Sequence, residues 1–230
     1  MTSVLALWDI DGTLLKSEHA GIHAMLEALH DLHPGRSFSF DGVEVSGRLD
    51  PLIYQELAAR HGIPGDDDSH ATFRARYTER LRARLAARNT VRVLAGVVDL
   101  VSALHDHADW EQGLLTGNYE PTGVLKVIHA GLDPDHFRIN AFADHGTTRR
   151  HLPPVAIKRF HQVTGSAVPP ERVVIIGDTP LDVDCAHHNG CRCLAVATGI
   201  HPADELRAAG ADLVVDDLSD VAGILRWLQA

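Results

Sequence analysis

Two aspartates separated by a single residue close the apolar run in "VLALWDIDGTLL" (residues 4–15), so that Asp9 and Asp11 follow a buried-looking segment and precede Gly12. Unpaired buried charge is expensive, and the pair therefore implies a bound cation or a chemical task. A second acidic pair, Asp178 and Asp182 in "GDTPLD", follows another apolar run, 173–176. Carboxylates gathered this closely raise one another's pKa unless a cation sits among them. Oxygen ligands without Cys or His suit Mg²⁺. Between the two pairs, "LLTGN" offers Thr116, Gly117 and Asn118 ahead of a helix opened by Pro121. A hydroxyl and backbone N–H groups there can hold the oxygens of an anion. Carboxylates, a metal and an oxyanion cradle describe a phosphoryl-transfer site, in which an aspartate can be the nucleophile and form an aspartyl-phosphate.

Such residues must be carried to one edge. Short apolar runs at 4–8, 113–115, 139–142, 173–176, 193–196 and 213–215 alternate with helical patterns near 121–130, 154–164, 182–189, 203–209 and 219–229. This alternation implies parallel βαβ units, whose ligands collect at the carboxyl ends of the strands. The interval 16–89 breaks the pattern, with helices expected near 19–32, 51–61 and 69–88 and no strand pair. In the last of these, Phe73, Tyr77, Leu81 and Leu85 recur at steps of four. The arginines between them are assigned mainly to solvent. The expected architecture is an α/β, Rossmann-like, doubly wound and mainly parallel sheet formed by 1–15 and 90–230, with an inserted α-helical cap domain at 16–89.

The 230 residues carry 21 basic and 31 acidic side chains, a net charge of −10. That balance argues against nucleic acid or an anionic membrane surface as the main partner. No run approaches a membrane span, and the N-terminus lacks the order of basic, apolar and small residues of a secretory signal, so the expected location is cytoplasmic. Cys185, Cys191 and Cys193 read as packing thiols. The 16 histidines show no metal-ligand spacing and read as surface and cap residues.

The three motifs "DIDGT", "LLTGN" and "GDTPLD", in this order and each after an apparent strand, resemble those of the haloacid dehalogenase superfamily, in its phosphoglycolate phosphatase-like branch with a helical cap. The resemblance covers the whole chain. It implies that Asp9 is the nucleophile and Asp11 the general acid/base. It implies that Asp9, the backbone carbonyl of Asp11 and Asp178 hold Mg²⁺, with Asp182 orienting the metal shell. Thr116 and the amides of Gly12, Gly117 and Asn118 would contact the phosphoryl group of a small phosphorylated metabolite. An acid at position 11 separates phosphatases from the haloalkanoate dehalogenases, because an alkoxide leaving group needs a proton.

The family's third motif supplies a cation, usually lysine, but "DHGTTRRHLPPVAIKRF" has no Lys-Pro in the expected place. Arg149, directly ahead of the helix, is preferred over Arg150, with Lys158 third. In the cap, "SGRLDP" presents Arg48 as a substrate contact, and Asp50 as a substrate contact or a helix cap before Pro51. The resemblance also covers sugar phosphomutases of the β-phosphoglucomutase type, which carry a cap histidine ten residues after the second aspartate. Here that position is Gly21, between His19 and His23. A phosphonatase would need a cap lysine, yet after Lys16 the next lysine is Lys126. A weakly active phosphate-binding relative is the remaining alternative.

Overall fold

A computed structural model describes residues 4–230. Strand β1 (Val4–Trp8) lies inside a five-stranded sheet, between β4 (Trp110–Leu114) and β5 (Val173–Gly177), with β6 (Arg192–Val196) and β7 (Leu213–Val215) beyond β5. All pairings in this sheet are parallel. Pleating sends alternate residues to opposite faces. Leu5 and Leu7 join Val173, Ile175 and Phe160 in one core, while Ala6 and Trp8 join Val174, Ile176 and Leu194 in the other. With both faces covered, the strands read as continuous apolar runs. The expected α/β class and parallel sheet are present.

A short antiparallel ribbon, β2 (Leu15–Lys16) with β3 (Arg92–Val93), brings the two ends of the intervening segment together. That segment forms α1 (Ala20–Leu32), α2 (Asp50–His61) and α3 (Asp67–Ala87). Phe73, Tyr77, Leu81 and Leu85 are buried on α3 as their spacing predicts, in a core continuous with one face of the sheet. The arginines of α3 are not simply solvated. Arg80 pairs with Asp31 at 2.5 Å and Arg84 with Glu27 at 2.7 Å, because α1 packs alongside α3 with its acidic edge facing them, while Arg74 pairs with Asp144, in a 3₁₀ turn at 143–145, at 3.0 Å.

Two expectations fail locally. Residues 139–142 form no strand, only an isolated bridge between Leu115 and Ala141. The Asn140 side chain accepts from Leu114 N–H at 2.8 Å, taking the place of a ladder carbonyl. A helix at α4 (Val97–His105) was not foreseen; its N-cap is Gly96 in the left-handed region, without the side-chain cap that marks a helix start in sequence. The remaining helices are α5 (Glu120–His129), α6 (Leu152–Thr164), α7 (Pro180–His188), α8 (Ala203–Ala208) and α9 (Val221–Gln229). The three cysteines are free and buried. Among the described residues no helix is long and apolar enough to cross a membrane.

Candidate active site

The carboxyl ends of β1, β4 and β5 converge on one cavity of about 460 Å³, lined on the core side by Asp9, Asp11, Gly12, Thr116, Gly117, Asn118, Arg149 and Asp178. Ile22, Met25, Ile53 and Tyr77 line it from the helical segment. Asp9 continues the sheet pairing, donating its N–H to Ile176 O at 2.9 Å, and is buried. Asp178 follows β5, where its carboxylate accepts from Thr13 Oγ1 at 3.3 Å.

Asp182 is fully buried in the first turn of α7. Its Oδ2 accepts from Thr179 N at 3.1 Å and Thr179 Oγ1 at 2.8 Å, closing a capping box. Its Oδ1 accepts from Arg149. Arg149 lies in a 3₁₀ turn just before α6 and is buried; its guanidinium also stands 3.0 Å from Asp9 Oδ1 and donates to Gly47 O at 3.0 Å. Of the three sequence candidates for the cation, it alone reaches the carboxylates. Arg150 is exposed and pairs with Asp184 at 2.5 Å. Lys158 is exposed on α6.

The Thr116–Asn118 loop is wired through its side chains. Asn118 Nδ2 donates to Thr116 Oγ1 and to Asp11 Oδ2, each at 2.9 Å. Gly117 lies beneath the chain entering α2: a Cβ there would stand 2.0 Å from Arg48 O, so only glycine fits. The N–H of Gly12, expected at the phosphoryl group, instead donates to Leu15 O at 2.8 Å within the turn. Arg48 lines the cavity, but its guanidinium is held by Glu44 O at 2.8 Å and Glu56 at 2.7 Å. Asp50 caps no helix of its own. It sits one residue inside α2, whose N-cap is Leu49, and accepts from Tyr119 N at 3.0 Å across the start of α5.

Sequence reasoning missed Lys126. It lies on the buried face of α5 with Thr122, Gly123 and Val127, and its Nζ stands 2.5 Å from Asp11 Oδ2 and 2.6 Å from Asn118 Oδ1. The available signal was a charge on the packed face of an amphipathic helix, which demands a buried partner.

The electrostatics divide the two aspartates of the opening motif. Burial pushes the Asp9 carboxyl up to about 6 against the pull of Arg149, with Asp182 and Asp11 adding to the rise. Burial and the charges of Asp9 and Asp182 push Asp178 up to about 8. Burial would also raise Asp11, but the Lys126 ammonium and hydrogen bonds from Lys126, Asn118 and Ser17 outweigh it and hold Asp11 below its ordinary value. Carboxylates raised in this way carry more negative charge than Arg149 alone balances. One oxygen from each of Asp9, Asp178 and Asp182 lies within 4.8 Å of the others. Since both Asp182 oxygens already accept hydrogen bonds, Asp9 and Asp178 are the pair left for direct coordination. A hard divalent cation fits this all-oxygen donor set.

A family model described as HAD-hydrolase-like matches residues 148–221. The chain is 27% identical over 223 residues to the N-acetylmuramic acid 6-phosphate phosphatase of Pseudomonas aeruginosa, covering 95% of this chain and 93% of that protein. It is 28% identical over 224 residues to the phosphoglycolate phosphatase of Chromobacterium violaceum, covering 95% of each. Among solved structures, CbbY of Rhodobacter sphaeroides in complex with phosphate has the same fold, with a TM-score of 0.74, 22% identity and 96% of both chains covered.

Proposed function

The chain belongs to the haloacid dehalogenase superfamily, among its phosphoglycolate phosphatase-like hydrolases of phosphoric monoesters, and we propose that it uses Mg²⁺ and an aspartyl-phosphate on Asp9. The observation that carries this reading is the pairing of Asp9 with buried Arg149 at 3.0 Å, beside Asp178 and facing the Thr116 loop across one cavity. The charge of the incoming phosphate raises Asp11 so that it enters the step protonated; attack by an Asp9 oxygen on phosphorus breaks the bond to the leaving group, and Asp11 gives the leaving oxygen its proton. Asp11, now a carboxylate, takes a proton from water. The water oxygen bonds to phosphorus, the acyl phosphate opens, and Asp9 and orthophosphate are freed. Arg149 balances the charge of Asp9 throughout, while Thr116 and the loop amides hold phosphoryl oxygens. Mg²⁺, held by Asp9, Asp178 and the Asp11 carbonyl, would screen the dianionic phosphate from the carboxylates.

The substrate in this reading is a small phosphorylated metabolite. Ile22, Met25, Ile53 and Tyr77 wall the cavity and exclude bulk water from the acyl phosphate. The mutase alternative has no support at position 21, where glycine supplies no side chain to a second sugar hydroxyl.

A phosphate-release screen over sugar phosphates, phosphoglycolate, nucleoside monophosphates and other small phosphorylated acids tests the reading. We expect Mg²⁺-dependent release from at least one, abolished in Asp9→Asn. Release undiminished in that variant, or in excess chelator, contradicts it.

A further inference from the structure

Lys126 lies two turns of α5 beyond Asn118 and is 4% exposed. It forms a closed triangle with the site. Nζ is 2.5 Å from Asp11 Oδ2 and 2.6 Å from Asn118 Oδ1, and Asn118 Nδ2 donates to the same Asp11 oxygen at 2.9 Å. The other oxygen, Oδ1, accepts from Ser17 Oγ at 3.3 Å. Thus one oxygen of Asp11 is anchored from the core by two donors, while the side chain remains 41% exposed in the cavity. The opposite side of Lys126 is closed by α1. A Cβ on Gly21 would stand 3.1 Å from Tyr77 Oη and 3.5 Å from Nζ, so the ammonium and the phenol crowd the face of α1 at position 21. A buried cation is costly to desolvate, and its one ion pair among the described residues is with Asp11.

We propose that Lys126 is the positioning residue of Asp11. From beneath the Thr116–Asn118 loop it holds the carboxylate in the orientation from which it takes the proton of the attacking water. The inference rests on the reading of Asp11 as the proton-transfer group. In the affected step one water O–H breaks to Asp11, the water oxygen bonds to phosphorus, and the electrons of the broken acyl-phosphate bond return to Asp9. Lys126 contacts Oδ2, the oxygen anchored to the core, and leaves Oδ1 to take the proton; it touches neither water nor phosphorus and acts through Asp11. Without it, Asp11 keeps only Asn118 and Ser17 as anchors and loses its fixed orientation, so the phosphoenzyme forms from a good leaving group but is hydrolysed slowly.

The test is stopped-flow hydrolysis of p-nitrophenyl phosphate with saturating Mg²⁺ by wild type, Lys126→Met, Asp11→Asn and the double variant. Nitrophenolate is a stable leaving group and forms the phosphoenzyme without an acid. Lys126→Met should give a nitrophenolate burst stoichiometric with active sites, then turnover slowed by about tenfold or more, within the range of general acid/base effects. Asp11→Asn should show the same signature, and the double variant should be no slower than Asp11→Asn, because residues acting as a unit do not add. Turnover of Lys126→Met at the wild-type rate, burst and turnover falling together, or losses that multiply in the double variant would each overturn the proposal. The double variant removes both members of the ion pair and leaves no lone buried charge. Lys126→Gln, uncharged and one atom shorter so that its donor is withdrawn from Asp11, is read in the same way should Lys126→Met not fold. If Asp11→Asn itself turns over normally, the assignment of Asp11 fails and this inference with it; if Asp11→Asn is slow and Lys126→Met is not, only the inference fails.

Discussion

At the scale of single residues, the site turns on which cations reach the carboxylates. Arg149 bridges Asp9 and Asp182 from a buried turn, so its removal deprives the nucleophile of its counter-charge. Arg149→Ala should lower turnover about a hundredfold, a loss near 3 kcal/mol typical of a single preorganised electrostatic contact. It should also cost about 3 kcal/mol of stability by leaving buried carboxylates unpaired. Arg150→Ala and Lys158→Ala should leave turnover unchanged, since both side chains are exposed and Arg150 pairs with Asp184, away from the cavity. Steady-state rates, normalised to the folded fraction by circular dichroism, check all three; a large loss in Lys158→Ala with none in Arg149→Ala refutes this role. The position of Arg149 before a helix could be read from sequence because it depends on local order. Lys126 could not be placed on Asp11 in this way. The contact joins residues 115 positions apart and depends on the rotation of α5, which spacing alone does not settle.

At the scale of elements, Asp50 ties the start of α2 to the start of α5 through Tyr119 N–H. Burial pushes its carboxyl up to about 7, against the opposing pull of Lys126. In the folded protein Asp50 therefore holds its proton through a range of pH in which the unfolded chain, with an ordinary carboxyl near 3.8, has lost it. The folded state binds more protons between those values, so this group makes stability fall as pH rises from about 4 to about 7, with no further change above. Asp50→Asn keeps an oxygen for Tyr119 N–H and removes the titration. Its stability relative to wild type should rise across that window, measured by denaturant unfolding in saturating Mg²⁺; a constant difference contradicts the assignment. The strands and most helices were readable because hydrophobic period reports burial directly. Segment 139–142 misled because its apolar content is that of a strand, while Asn140 takes over one ladder bond with its side chain. Helix α4 was hidden because its start carries glycine in place of a capping side chain.

At the scale of the whole molecule, three parallel strands deliver Asp9, Thr116 and Asp178 to one edge, and the β2–β3 ribbon returns the helical segment to the same place. That convergence follows from the order of strands and was readable from the three motifs together. The packing of the loop carrying Arg48 over Gly117 was not, because it depends on how α2 sits across the sheet. The concentration of carboxylates at this edge predicts a linkage between metal and stability. Mg²⁺ at about a hundredfold above its dissociation constant should add about 2.7 kcal/mol. The gain should be larger near pH 8 than near pH 5, since Asp9 at about 6 and Asp178 at about 8 must lose protons to coordinate. Thermal melts with Mg²⁺ and with chelator at the two pH values measure this; equal shifts contradict it.

The central claim is that Asp9 becomes phosphorylated during turnover. Asp11→Asn should accumulate the acyl phosphate, because hydrolysis of the intermediate needs the carboxylate that this variant lacks. Acid quench of Asp11→Asn during turnover of p-nitrophenyl phosphate, followed by peptide mass spectrometry, tests it directly. One added phosphoryl group is expected on the peptide containing Asp9, and none when Asp9→Asn is introduced as well. Phosphate release at the wild-type rate from Asp9→Asn, with no phosphorylated peptide in any variant, would contradict it.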